Sequence, residues 1–155
     1  MNKRDAVLSL LGPGPKPDTI PAAFFLHFGP DYQIGQAAVD RHLEYFRYTN
    51  MDFVKIQYEK HFPRLPQIQR PEDWARMPFY GLDFYEEPLR VVEGLVKAVR
   101  REALVVLTLY SPFMFAGQTA SEEIVTRHIR ENPGAVKRGM QVITDSLMLF
   151  VKECI

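Results

Sequence analysis

At 155 residues the chain is long enough for one domain with a sizeable core. Nineteen basic and nineteen acidic side chains cancel, which excludes the basic field of a nucleic-acid binder and the acidic tail of a cation buffer. Eleven Phe and seven Tyr argue against disorder, and the single Cys154 excludes an internal disulfide framework. No apolar run approaches the ~20 residues of a membrane span, and MNKRDAVLSLLGPGP lacks the apolar run of a signal peptide. The expectation is one cytoplasmic domain over residues 1–155, with no nucleic-acid partner and no membrane.

Lys3 to Leu11 reads as a short helix, ended by a rigid loop through Gly12, Pro13, Gly14, Pro15 and Pro17. Ile20 to Phe28, IPAAFFLHF, is the first expected strand, broken by Gly29 and Pro30. Gln36 to Thr49 has helical spacing, with Val39, Leu43 and Phe46 inward and Asn50 as its C-cap. Met51 to Tyr58 is the second expected strand, with Asp52, Lys55 and Gln57 meeting polar surroundings. The proline-rich stretch 59–83 predicts one short helix over Pro71 to Arg76, and long loops of this kind tend to be functional. A helix is expected over Glu86 to Arg101, with Pro88 in its first turn and a stripe of Leu89, Val92, Leu95, Val96 and Val99.

Ala103 to Leu109 is a short apolar, Val-rich run that suits a strand buried on both faces, and the chain reads as units arranged around it. It stops at Tyr110, Ser111 and Pro112. Phe113, Met114 and Phe115 follow at its carboxyl end, where open sheets and barrels place ligands. Thr119 and Glu122 fit a capping box for a helix to about Glu131. Pro133 to Glu153 is the last helix, with Val136, Met140, Ile143, Leu147 and Phe150 on one face. The alternation predicts an α/β fold of parallel βαβ units, about three parallel strands with surrounding helices. Three strands cannot close an eight-strand barrel, which needs roughly 250 residues, so the arrangement is that of a partial TIM (β/α)8-type barrel.

Three segments, IPAAFFLHF, TNMDFVKIQYEK and EALVVLTLYSPFMFAG, resemble in order and spacing the uroporphyrinogen decarboxylase family, which includes cobalamin-dependent methyltransferases. The likeness covers nearly all of this chain but only about half of a family member's eight-strand barrel. It implies the N-terminal part of such a barrel, acting by decarboxylation or methyl transfer on a tetrapyrrole or corrinoid-linked substrate. It also implies a missing C-terminal half, or a homo-oligomer, to complete the site. Authentic decarboxylases carry two arginines just after the first strand, and LHFGPDYQIG contains none, so this chain resembles the divergent members near the methyltransferases. The family's essential acid lies at the end of the second strand, a register that here gives Glu59. A decarboxylase relative needs no cofactor. A methyltransferase relative uses cobalamin and zinc, with zinc ligands in the other half of the barrel, so no metal site carries over.

Glu59 and His27 are therefore the candidate catalytic residues, with a solvated carboxylate and a polar strand cap as the alternatives. Lys55 and Gln57 either enter the barrel mouth or lie on a polar layer. Tyr110, Ser111 and Phe113 are candidates to line a pocket above the third strand, and packing against the following helix explains Phe113 equally well. Asp31 and Tyr32 fall in the loop where the family binds substrate, although a turn also explains an Asp. His128, between Ile124 and Ile129, reads as structural, and His42 and His61 lack metal-ligand spacing. The alternative to an enzyme is a non-catalytic binding or assembly module whose open edges pair with another chain.

Overall fold

The computed structural model describes every residue except Met1, Pro17 and Thr19, so the expectation for Pro17 lies outside the described residues. The chain divides into two compact units: residues 1–59 with 87–108, and residues 60–86 with 109–155.

The first unit begins with α1 (Lys3–Leu11), whose Asn2 cap accepts from Asp5 N. The Lys3 ammonium reaches Asn50 Oδ1 and lies 4.9 Å from the centre of the Phe46 ring. A 3-10 turn over Pro30–Tyr32 precedes α2 (Gly35–Thr49). Asn50 ends α2 in the left-handed region at φ 53°, as its expected role as a C-cap requires. β1 (Phe53–Ile56) pairs in parallel with β2 (Leu104–Leu107), with Phe53 opposite Leu104 and Lys55 opposite Val106. Between them in sequence comes α3 (Leu82–Val99), which starts four residues before the expected Glu86. Pro88 is thus inside the helix and not in its first turn, and it has no N–H for the carbonyl four residues back. The division between the units falls beside it.

The strand period of two separates the faces of the β1–β2 pair. Val54 and Ile56 are buried among Ala38, Val39 and Phe46 of α2 and Val91, Leu95 and Val99 of α3, and Val105 and Leu107 pack against the same cluster. Phe53, Lys55, Leu104 and Val106 therefore take the other face, away from the cluster formed with α2 and α3. Val106 is 37% exposed, so the expectation that this strand is buried on both faces is corrected. The expected apolar stripe shifts as well: Val91 is buried and Val96 is exposed.

Two strands, not three, form a sheet among the described residues. Ile20 to Phe28 has no regular secondary structure and lies outside the ladder. Pro21 has no N–H to give, Ala22 N donates to the Asp52 carboxylate (2.8 Å), and Phe24 N faces Met51 Sδ (3.0 Å). One backbone bond, Asp52 N to the Ala22 carbonyl, holds the segment at the start of β1. Side chains thus take donors that a regular ladder would pair with backbone.

The second unit is helical. It contains a 3-10 segment over Pro71–Arg76, the first turns of α3, α4 (Pro112–Thr119), α5 (Glu122–Glu131) and α6 (Pro133–Glu153). The expected apolar cluster Phe113, Met114 and Phe115 lies in α4, which Ser111 caps and Pro112 opens. The cap of α5 is Ser121, which accepts from Ile124 N at 3.1 Å, and not the expected Thr119. Thr119 instead ends α4 and donates to the Phe115 carbonyl. The core is built on Trp74, whose indole N–H donates to His128 Nδ1 (3.1 Å) while His128 Nε2 bonds the Gln69 carbonyl (3.1 Å). The structural reading of His128 thus agrees with its burial and its two partners. Tyr85 stacks on Phe150 at 4.9 Å, and the α6 stripe of Val136, Ile143, Leu147 and Phe150 is buried. Among the described residues, no helix is long and apolar enough to cross a membrane.

Candidate functional site

β1 carries Lys55 on the face away from α2 and α3, and further polar residues follow its carboxyl end. His27 Nδ1 lies 2.5 Å from Glu59 Oε1; the imidazole is half exposed and the carboxylate mostly covered. A separation this short requires a proton between the two groups. Phe25 stands edge-on to His27, with ring centres 4.5 Å apart, and the same Phe25 ring lies 5.2 Å from Lys55 Nζ. One aromatic side chain therefore links the acid–imidazole pair to the amine. Lys55 Nζ donates to the Ile56 carbonyl at 3.0 Å, and burial pushes the ammonium pKa down.

Gln57 is buried, and its Nε2 donates to the Lys55 carbonyl at 3.3 Å. Its Oε1 has no hydrogen-bond partner among the described residues. A buried acceptor left in this state costs about 1–3 kcal/mol unless a donor arrives from outside the chain. The backbone N–H of Gln57 donates to His42 Nε2 at 3.0 Å, and His42 Nδ1 donates to the Ala38 carbonyl at 2.7 Å. These two bonds fix the tautomer. Burial lowers the His42 pKa, with Lys55 adding to that effect and the Ala38 bond and Glu59 opposing it.

The other sequence candidates fall elsewhere. Asp31 and Tyr32 occupy the exposed 3-10 turn, where the Arg41 guanidinium lies 5.5 Å from the centre of the Tyr32 ring. Tyr110, Ser111 and Phe113 belong to the second unit. Tyr110 stacks against His61 with centres 5.8 Å apart, and Phe113 is exposed. Ser111 Oγ accepts from Met114 N at 3.3 Å, which engages it as the cap of α4.

Two contributors were not legible as such. Phe25 read as one apolar residue in a strand, and the bond from His42 to a strand amide fifteen residues away has no sequence signature. Among the described residues, no group of three or more His, Cys, Asp or Glu could hold a metal ion. The arrangement offers an exchangeable proton at His27–Glu59, an amine in a half-apolar setting at Lys55 and an open acceptor at Gln57. No protein-family model, curated protein or solved structure matches this chain.

Proposed function

We propose that the chain supplies the opening strands of a barrel of the uroporphyrinogen decarboxylase type. The substrate would be a tetrapyrrole or corrinoid-linked compound, acted on by decarboxylation or methyl transfer once further strands close the barrel. The reading rests on the resemblance of the three segments and on the placement of polar groups. In such a barrel helices cover the outer face, and chemistry collects at the carboxyl ends of the strands. Here α2 and α3 cover one face of the parallel pair, and Lys55 lies on the other. The observation that carries the proposal is the His27–Glu59 contact at 2.5 Å. On this reading Glu59 receives pyrrole N–H groups and steadies developing positive charge, while His27 holds or moves the proton. Gln57 Oε1 accepts one further ligand donor. Asp31 and Tyr32 of the same unit remain proposed substrate contacts.

Titration with uroporphyrin and, separately, hydroxocobalamin, followed by visible absorbance, tests this. The expected result is a saturable shift that weakens in Glu59→Gln and His27→Ala. No shift with either compound, or a shift that both variants retain unchanged, overturns it.

One observation favours the second reading, an assembly module without catalysis. Phe24, Phe25 and Leu26 are consecutive and 54%, 55% and 41% exposed, and Val106 of β2 is exposed as well. Light scattering on a sizing column distinguishes the readings: a defined dimer without tetrapyrrole binding supports the module, and a monomer that binds tetrapyrrole rejects it.

A further inference from the structure

We propose that the groove between α1, the end of α3 and the start of β2 binds the phosphate monoester of a small apolar molecule through Arg4, Arg100 and Arg101. The inference does not rest on the tetrapyrrole reading: the groove lies at the amino end of β2, and the His27–Glu59 pair follows the carboxyl end of the parallel β1. Every group it uses belongs to the first unit. The groove holds about 680 Å³, within the roughly 300–1,000 Å³ of small-molecule sites. Two hydrogen bonds build it from segments far apart in sequence. Asn2 Nδ2 donates to the Arg101 carbonyl at 3.1 Å, and Arg4 N donates to the Glu102 carbonyl at 3.0 Å. The first turn of α1 is thereby docked on the turn that leads into β2, which brings Arg4 to the same groove as Arg100 and Arg101.

The charges in the groove do not balance within the chain. Among the described residues Asp5 is the one carboxylate lining it, 3.8 Å from Arg4 and half exposed. Arg100 and Arg101 have no carboxylate within ion-pair distance among the described residues. Lys97, near the same end of α3, is taken up by Glu93 at 2.5 Å. Two positive charges are therefore in excess, the complement of a phosphate monoester close to its dianion at pH 7. At the end of α3 the two arginines also complement the negative pole of the helix, a structural reason for their presence. That reason does not extend to Arg4, which stands in the first turn of α1, at a positive pole where a cation is disfavoured. An anion held between the three guanidinium groups removes the conflict, and the planar fork of arginine suits phosphate oxygens. Val96, 42% exposed, and Leu104 supply the apolar wall for the ester group. Three arginines make a site for one small anion, and the zero net charge of the chain gives no wider basic field for a nucleic acid.

The test is isothermal titration calorimetry of the full chain with phenyl phosphate, inorganic phosphate and phenol, at constant ionic strength set with sodium chloride. The expected result is saturable binding of one phenyl phosphate, weaker binding of inorganic phosphate and none of phenol. Arg4→Gln and Arg101→Gln should each weaken phenyl phosphate by about tenfold or more, through loss of a charge-assisted hydrogen bond. Arg101→Lys, which keeps the charge, should lose less, and all three variants should keep the wild-type circular dichroism spectrum. Arg138→Gln removes the same charge from an exposed position of α6 in the second unit and should leave the affinity unchanged. Absence of saturable binding by either phosphate overturns the proposal from the wild type alone. Wild-type affinity in both Arg4→Gln and Arg101→Gln overturns it as well, and so does an equal loss in Arg138→Gln, which would mark a general charge effect. Phenyl phosphate should leave the absorbance titrations with uroporphyrin and hydroxocobalamin unchanged. Competition between them would place both ligands in one site and overturn the separate groove.

Discussion

His42 Nε2 accepts the backbone N–H of Gln57, so a side chain of α2 closes the hydrogen bond that the end of β1 would otherwise give to a neighbouring strand. The imidazole is buried, its Nδ1 donates within α2, and T-shaped contact with Phe28 fills one edge. His42→Leu keeps the bulk but leaves a buried strand N–H without a partner. Chemical denaturation should show a loss of about 1–3 kcal/mol.

The same residue sets a pH dependence. The His42 pKa is lowered below the ordinary 6.5 by burial, so the unfolded chain binds this proton more readily than the folded one. The contribution is fully present above about 6.5 and is lost as pH falls from there toward the lowered folded value. Denaturation midpoints measured from pH 7.5 downward should fall for the wild type. His42→Leu should lack that component, giving a shallower slope below 6.5. Parallel slopes would show that other groups carry the acid sensitivity.

Much of the fold was legible where one period or one end signal dominated. The stripe from Val136 to Phe150 gives α6 its ends at Pro133 and Glu153, and the Gln36–Thr49 spacing with Asn50 gives α2 to within one residue. What failed depended on partners distant in sequence. IPAAFFLHF has the composition of a buried strand, yet its first donors go to Asp52 and Met51 side chains, and no helix covers Phe24 or Phe25. Ser111–Pro112 is a helix start by its own chemistry, but the apolar Phe113–Phe115 run beside a strand masked it. In the site, the alternation of Lys55 and Gln57 was readable. The pairing of His27 with Glu59, thirty-two residues apart, became visible only in space.

Gly139 of α6 is where the Trp74 segment approaches most closely. A β-carbon built there would stand 2.8 Å from Trp74 Cε3 and 2.9 Å from its backbone oxygen. Trp74 is fully buried and held by its bond to His128, so it has no room to yield. Gly139→Ala gains helix propensity yet should cost about 1–3 kcal/mol through overpacking. Gly134→Ala, where the nearest atom is 3.7 Å away, is the control and should be neutral or stabilising. Thermal melts of the two variants decide it, and equal melting temperatures would show that α6 shifts freely against Trp74.

Asn50 pairs a left-handed backbone with a side chain that accepts from Lys3. Asn50→Ala keeps the positive φ, which costs an L-residue with a β-carbon about 1–2 kcal/mol, and also removes the acceptor. Asn50→Gly relieves the first effect and retains the second. The expected order of stability is wild type, then Gly, then Ala, with the Gly-to-Ala gap measuring the backbone contribution. If Ala equals Gly in urea melts, the turn after α2 changes conformation in the variants.

Tyr85 and Ser146 form the buried relay of the second unit. The Tyr85 hydroxyl lies 2.8 Å from Ser146 Oγ, and Ser146 Oγ donates to the Tyr80 carbonyl at 2.7 Å. With its only hydrogen committed to Tyr80, Ser146 accepts from Tyr85, and burial raises the Tyr85 pKa. Ser146→Ala leaves the phenol donor and the Tyr80 carbonyl without this link, and should cost about 1–3 kcal/mol. Tyr85→Phe removes one donor and leaves the Ser146–Tyr80 bond intact, so it should cost less. The double variant should cost less than the sum of the two, because the phenol no longer needs a partner. A double-mutant cycle by denaturant unfolding measures that coupling. An additive cycle would show that Tyr85 is held by its stacking on Phe150 alone.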